Sequence, residues 1–306
     1  MSKKIKVIYI TGEGRSGSTL LERILGQHKK IFAAGELIYI WERSFIENQL
    51  CSCNKSFYEC EVWKDIILNF RKKVPNINPS EVIDAFMNTS RIRHYFFKKD
   101  FNKTKYAQFI NNIYTNLYTA ILETVNKEFI IDSSKQPVFA HILKDNPNLE
   151  LYILHLIRDP RAVAYSWQKK KVRPEIKNKV EYMPRYSPIR TAISWNVVNK
   201  ICFDLSKEEN LKYMLIRYED LVSNLKEILN KIYSLLSLEN NFKDLFLDEK
   251  TIFLSKNHTV AGNPIRFKTG EIKLIPDEKW KLSMNKWNQL FLKILCYKAL
   301  KRFGYV

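Results

Sequence analysis

The sequence predicts an α/β fold in three layers: a central parallel sheet with helices on both faces, a phosphate-binding loop, and a helical insertion at about residues 36–126. Two observations carry that prediction. Short apolar runs at Val7–Thr11, Phe129–Asp132, Leu151–Ile157 and Tyr213–Arg217 alternate with helix-periodic stretches at Leu20–Gln27, Tyr106–Val125, Arg161–Lys170, Ile189–Leu205 and Lys226–Leu236. That alternation is the pattern of strand–helix–strand units. A glycine-rich turn also joins the first strand to the first helix. Pro and Gly are otherwise sparse, and no repeat or linker is visible. The 306 residues, 45% of them hydrophobic, therefore read as a single domain spanning 1–306.

The first strand, Val7-Ile8-Tyr9-Ile10, runs into Gly12-Glu13-Gly14-Arg15-Ser16-Gly17-Ser18-Thr19-Leu20-Leu21. Three of the chain's eight glycines fall within these six positions from Gly12 to Gly17. They let backbone N–H groups and a helix N-terminus approach an anion closely. Ser16, Ser18 and Thr19 add hydroxyl donors, and Arg15 adds a fixed positive charge. An NTPase loop would place Lys after the last glycine, where Ser18 stands, so kinase and NTPase chemistry does not follow. Gly12, Gly14 and Gly17 also fit a dinucleotide fingerprint, which leaves a nicotinamide or flavin enzyme open.

Further along, Cys51, Cys53 and Cys60 cluster ahead of Trp63. Three thiols so close can ligate zinc if a His or a fourth Cys joins them, or Cys53 and Cys60 can bridge. No second paired-Cys element accompanies them, so a reduced packing cluster without metal is the expectation. Asp132-Ser133-Ser134-Lys135-Gln136-Pro137 follows a strand, which sets Lys135 at the carboxyl edge of the sheet, where open α/β folds bind ligands. The run Leu151–Ile157 reads as a strand buried on both faces. It delivers Arg158 to the same edge, with Pro160 opening a helix that carries Ser166. An Arg and a Ser converging there can hold a phosphate. Arg217-Tyr218-Glu219-Asp220-Leu221 follows another apolar strand, and His258-Thr259-Val260-Ala261-Gly262-Asn263-Pro264-Ile265-Arg266 comes late. His155, mid-strand, reads as a buried and satisfied imidazole.

The formal net charge of +19 raises the question of nucleic acid. The excess is Lys scattered throughout, with no basic arm and no nucleic-acid motif, so a solvated basic surface serving an anionic ligand is expected instead. No signal segment is apparent and no apolar run of about 18 residues exists to span a membrane. The chain therefore reads as cytoplasmic, and its five cysteines suit a reducing compartment.

Taken together, the loop at Arg15–Thr19 and the Arg158 and Ser166 pair resemble the two cofactor motifs of the sulfotransferase family. That family transfers a sulfuryl group from 3′-phosphoadenosine-5′-phosphosulfate (PAPS) to a hydroxyl or amine. The resemblance implies a 5′-phosphosulfate loop made of Gly14, Arg15, Ser16, Gly17, Ser18, Thr19 and Leu20, and a 3′-phosphate site at Arg158 and Ser166. It adds Arg217 and Arg266 to the cofactor site, gives Ser134 and Lys135 contacts to the sulfate and leaving oxygen, and makes Glu36 the general base, with His258 as the other candidate. Arg15 stands where cytosolic members carry Lys, as in the tyrosylprotein and several carbohydrate branches. The late Arg-Lys-Gly triplet of the cytosolic group is replaced by Arg266-Phe267-Lys268-Thr269-Gly270. No metal is expected for the chemistry. The acceptor is a hydroxyl of a glycan, small molecule or peptide, received by the insertion and by the Lys169–Ser187 loop with Arg173, Tyr182, Arg185 and Tyr186. The competing readings are a nucleotide-dependent oxidoreductase and an RNA-binding protein.

Overall fold

Where side chains alternate strictly along buried strands, both faces of a sheet must be covered, and this chain meets that demand with helices on each side. The computed structural model describes residues 4–97, 100–176, 180–240, 242 and 244–306. Five strands, β1 (Ile5–Thr11), β2 (Ile31–Gly35), β3 (Phe129–Lys135), β4 (Leu149–Ile157) and β5 (Lys212–Arg217), form one sheet. Their order is β2-β3-β1-β4-β5, and every neighbouring pair is parallel. A small antiparallel pair, β6 (Thr251–Leu254) and β7 (Gly270–Lys273), lies apart from it.

Alternate residues of the central strands feed two cores. Val7, Tyr9, Ile130, Leu151 and Ile153 pack with the helices Glu61–Lys73, Pro79–Thr89, Lys105–Val125 and Pro137–Leu143. Ile8, Ile10, Ile131, Leu154 and Leu156 face the opposite way, onto the helices Ser18–Leu25 and Leu225–Leu236. These are the three expected layers. A third cluster, around Trp195, Trp280 and Phe303, packs the helices Pro160–Gln168, Pro188–Asp204 and Lys286–Leu295 together.

Most elements form where the pattern places them, and their starts have local causes. Pro137, Pro160 and Pro188 each occupy a first helical turn, where the missing N–H costs nothing. The Asp159 carboxylate accepts from Arg161 N at 2.8 Å, capping the helix that follows β4. Among the described residues from 36 to 126 every regular element is helical, including a π-helical turn at Ile40–Ile46. Strands β2, β6 and β7 go beyond the expected set. His155 lies in the interior as expected, with Tyr213 and Asn199 at its two ring nitrogens, and burial pushes it down to about 4. Among the described residues no helix is long and apolar enough to cross a membrane.

In this strand order the chain leaves β1 toward β2 and leaves β4 toward β5, so the topological switch lies between the adjacent strands β1 and β4. Ligands of open α/β sheets bind beyond the carboxyl ends at that point. The 12–17 loop and Arg158 both start there.

Candidate active site

A cavity of about 510 Å³ opens over the switch point. Arg15, Arg43, Lys135, Arg158, Lys171 and Arg190 line it, against only three carboxylates, those of Glu13, Glu36 and Asp277. Burial first, then the nearby Arg15, Lys169 and Arg158, hold the Lys171 ammonium below its ordinary range. That charge balance favours an anion over a cation.

The loop's shape explains its glycines. Gly17 caps the helix Ser18–Leu25 with φ 96°, a left-handed conformation that L side chains adopt at a cost. A Cβ added there would stand 2.6 Å from Cδ2 of Tyr218, so the ring, rather than a ligand, fills the missing side chain's space. Gly17, Ser18, Thr19 and Leu20 present the positive end of that helix to the cavity. Arg15 also has a positive φ, 70°. Its guanidinium lies 4.4 Å from the Trp167 ring centre and donates to the Met183 sulfur at 3.2 Å, and the same Trp167 closes the space beside Gly14.

Arg158 crosses behind the loop. It donates to the Arg15 carbonyl at 3.1 Å and to Asp277 Oδ2 at 3.2 Å, and stacks on Tyr218 at 4.4 Å. Burial opposes ionisation of Asp277, yet Arg158 and Lys169 hold its carboxyl below the usual carboxylate range. Ser166 lines the cavity on the helix that begins after Arg158.

The opposite wall comes from β2 and β3. Both β1–β3 and β2–β3 pairings slip in register at the end of β3. That bulge leaves Lys135 with φ 66° and turns it across the cavity floor. There the Lys135 ammonium and the Glu36 carboxylate form an ion pair. Glu36 is fixed by its own N–H, which donates to the Val260 carbonyl at 3.0 Å. Ser134 reaches the lining with its hydroxyl already engaged: it donates to Asp132 and accepts from Ile38 N at 2.9 Å. Burial lifts Asp132 to about 6, and Tyr118 donates to its other oxygen at 2.7 Å.

Of the expected site residues, the cavity gathers Gly14, Arg15, Gly17, Ser18, Thr19, Leu20, Glu36, Ser134, Lys135, Arg158 and Ser166. Three others stand elsewhere. The Ser16 hydroxyl is buried behind the loop. Arg217 turns to the C-terminal segment, donating to the Gly304 carbonyl at 2.9 Å and stacking on Tyr305. Arg266, wholly buried, donates to the carbonyls of Thr259 and Leu50, each at 2.9 Å, and burial brings it down to about 10. Its two carbonyl partners occupy the guanidinium expected in the cofactor site. His258 is not among the residues lining the cavity, and its Nδ1 faces the sulfurs of Cys60 and Cys51. In the 169–187 loop Tyr186 lines the cavity, while Arg173 is paired with Glu175 and Glu181. Residues 177–179 of that loop lie outside the described residues.

The sequence reading missed Glu22, Trp167, Lys171, Asp277 and the rim at Gly262 and Asn263. Glu22 accepts from Gly35 N at 2.6 Å and from the Ser133 hydroxyl at 2.7 Å, tying the ends of β2 and β3 together, and burial lifts it to about 8. Its position one turn into the helix after the loop was the available signal, since a carboxylate on an otherwise apolar face must have a partner inside.

Comparisons with known proteins place the chain by family and fold. Residues 8–244 match the sulfotransferase family. Carbohydrate sulfotransferase 1 of Mus musculus is 26% identical over 181 residues, 53% of this chain. The match takes in only 41% of that relative's length. Two solved structures share the fold. The sulfotransferase domain from the curacin biosynthetic pathway has a TM-score of 0.53 at 17% identity, covering 97% of this chain and 98% of that one. The sulfotransferase domain from the Synechococcus PCC 7002 olefin synthase has a TM-score of 0.51 at 17% identity, covering 95% and 94%. Neither an oxidoreductase nor an RNA-binding protein is favoured by these matches. A cationic cavity on the β1–β4 switch point and a family match across most of the chain lead to one assignment: the chain belongs to the sulfotransferase family.

Proposed function

We propose that the chain transfers a sulfuryl group from PAPS to an acceptor hydroxyl. The observation that carries this reading is the meeting of Arg15, Arg158 and Lys135 with a buried carboxylate, Glu36, in one cavity. The residues fit the nucleotide in a further respect. Arg15 Nε and Arg158 Nε are buried with no hydrogen-bond partner, donors that an anion beside them would satisfy.

In this reading the loop amides and Arg15 hold the 5′-phosphosulfate, and Arg158 with Ser166 holds the 3′-phosphate. PAPS when bound supplies the activated sulfuryl group and a phosphate as the leaving group. Lys135 leaves Glu36 for the incoming anion and neutralises charge growing on the bridging oxygen as the S–O bond breaks. Glu36, so released, takes the proton of the acceptor hydroxyl as its oxygen bonds to sulfur. Tyr39, Arg43, Ile92 and Tyr186 line the acceptor side, a mixture of ring faces and cations that suits a glycan or an acidic peptide.

Thermal shift with adenosine 3′,5′-bisphosphate, NAD and a short RNA in parallel tests the reading. Stabilisation by the bisphosphate alone, rising with its concentration as RT ln(1+[L]/Kd), is expected. Protection by NAD instead would overturn it.

A further inference from the structure

We propose that the chain binds one structural zinc ion through Cys51, Cys53, Cys60 and His258. The four ligand atoms, three thiol sulfurs and an imidazole nitrogen, all lie within 4.8 Å of one another. His258 Nδ1 is 3.2 Å from the Cys60 sulfur and 4.0 Å from that of Cys51. Zn–S bonds of about 2.3 Å and Zn–N bonds of about 2.0 Å at tetrahedral angles set ligand atoms roughly 3.5–3.8 Å apart. Contraction of less than about 1 Å closes this group on a single ion.

Three features separate a metal site from chance packing. All five cysteines are free, so no bridge explains the grouping. The fourth ligand comes from 198 residues beyond Cys60, and its backbone is held in place: Trp63 Nε1 donates to the His258 carbonyl at 2.6 Å, and Ser52 N donates to that of Thr259 at 3.1 Å. The thiol segment is shaped as a knuckle, with Asn54 at φ 69° donating its N–H to the Cys51 carbonyl at 2.9 Å and Cys60 leading directly into the helix Glu61–Lys73.

The donor set selects the metal. Three soft thiolates and an imidazole favour zinc over magnesium or calcium, and four protein ligands leave no open position for substrate water. The thiols give up their protons to solvent as the sulfurs bond to the ion, and no redox change occurs. The ion would fasten the 51–60 segment to the 257–266 segment. That second segment carries Val260, which accepts from Glu36 N, and Gly262 and Asn263, which form the cavity rim. The ion itself would take no part in the transfer chemistry.

The test is elemental analysis of the purified full chain by mass spectrometry, followed by replacement of the ion with cobalt(II). One zinc per chain is expected, and cobalt should give sulfur-to-metal charge transfer with the intense visible bands of a tetrahedral site. Cys60→Ser and His258→Ala should each weaken zinc binding by roughly 100-fold or more, since even loss of an outer-shell partner costs about 10–100-fold. Cys296→Ser, remote from the group, should keep its zinc. Should a ligand variant fail to fold, thiol titration of the wild type decides: a strong chelator should make Cys51, Cys53 and Cys60 reactive and lower the melting temperature. A wild-type chain that holds no zinc and takes up neither zinc nor cobalt overturns the site. So does isolation of Cys53 and Cys60 as a disulfide under reducing purification.

Discussion

Lys135 and Glu36 form an ion pair across the ends of two adjacent strands, where the bulge at the end of β3 leaves Lys135 in a left-handed conformation. Glu36→Gln keeps shape and hydrogen-bonding capacity while removing the proposed base. Its kcat should fall about 10²–10⁴-fold, while affinity for adenosine 3′,5′-bisphosphate should be no weaker than wild type, since Lys135 loses its competing carboxylate. Lys135→Ala should lower both, because the ammonium meets the ground-state anion as well as the leaving oxygen. Steady-state rates with PAPS and calorimetry with the bisphosphate separate the two patterns. Wild-type turnover in Glu36→Gln removes the base assignment.

Arg158 is the cation with the most to lose. Arg158→Ala should weaken bisphosphate binding by roughly 1.5–3 kcal/mol, the range for a hydrogen bond to a charged group. Asp277→Asn should have the opposite sign, since its ionised carboxylate shares Arg158 with any incoming phosphate. Titration calorimetry of the two variants measures both, and unchanged affinity in folded Arg158→Ala sinks the 3′-phosphate site.

Glu22 links stability to pH. Its carboxyl has an ordinary value of 4.5 and is lifted to about 8 by burial. Between those values the native chain keeps a proton that the unfolded chain has lost, so this contribution is whole below about 4.5 and disappears as pH rises through about 8. Its full size is on the order of a few kcal/mol. Glu22→Gln should therefore flatten the fall in melting temperature across that window. Parallel curves for wild type and variant would show that Glu22 does not titrate there.

Gly17→Ala should destabilise the fold by about 1–3 kcal/mol, because it places a Cβ both at a left-handed φ and against the Tyr218 ring. Urea unfolding measures the loss. Tyr218→Ala, by opening the space, should reduce the penalty of Gly17→Ala in a double-mutant cycle without abolishing it.

The parts of the fold legible in the sequence are those in which local pattern and final burial coincide. Strand β1 holds the unbroken apolar run Val7–Ile10 and β4 the run Leu151–Leu154, and the loop between β1 and its helix announces itself through three glycines and Arg15. Strand β2 was missed because Ile31–Gly35 contains two alanines and a glycine, poor strand formers that take their conformation from pairing with β3. Sequence order alone did not show where Arg266 and His258 point. Each follows a motif of the expected kind, but the direction of a side chain at a loop end is set by tertiary partners: two main-chain carbonyls for Arg266 and three thiols for His258. No spacing rule connects Cys60 to a histidine 198 positions away.

The position of β1 has a consequence for how the chain is made. It sits in the middle of the sheet, hydrogen-bonded on one side to β3, beginning at Phe129, and on the other to β4, beginning at Leu149. A ribosome adding about 5–20 residues per second therefore holds Val7–Ile10 without either neighbour for on the order of ten seconds. Throughout that interval four consecutive apolar residues, all buried at the end, face water or whatever else binds them. Such late pairing over long sequence separation slows folding and exposes the nascent chain to aggregation. Recovery of soluble protein should therefore depend more on synthesis rate and chaperone supply than on the stability of the finished sheet.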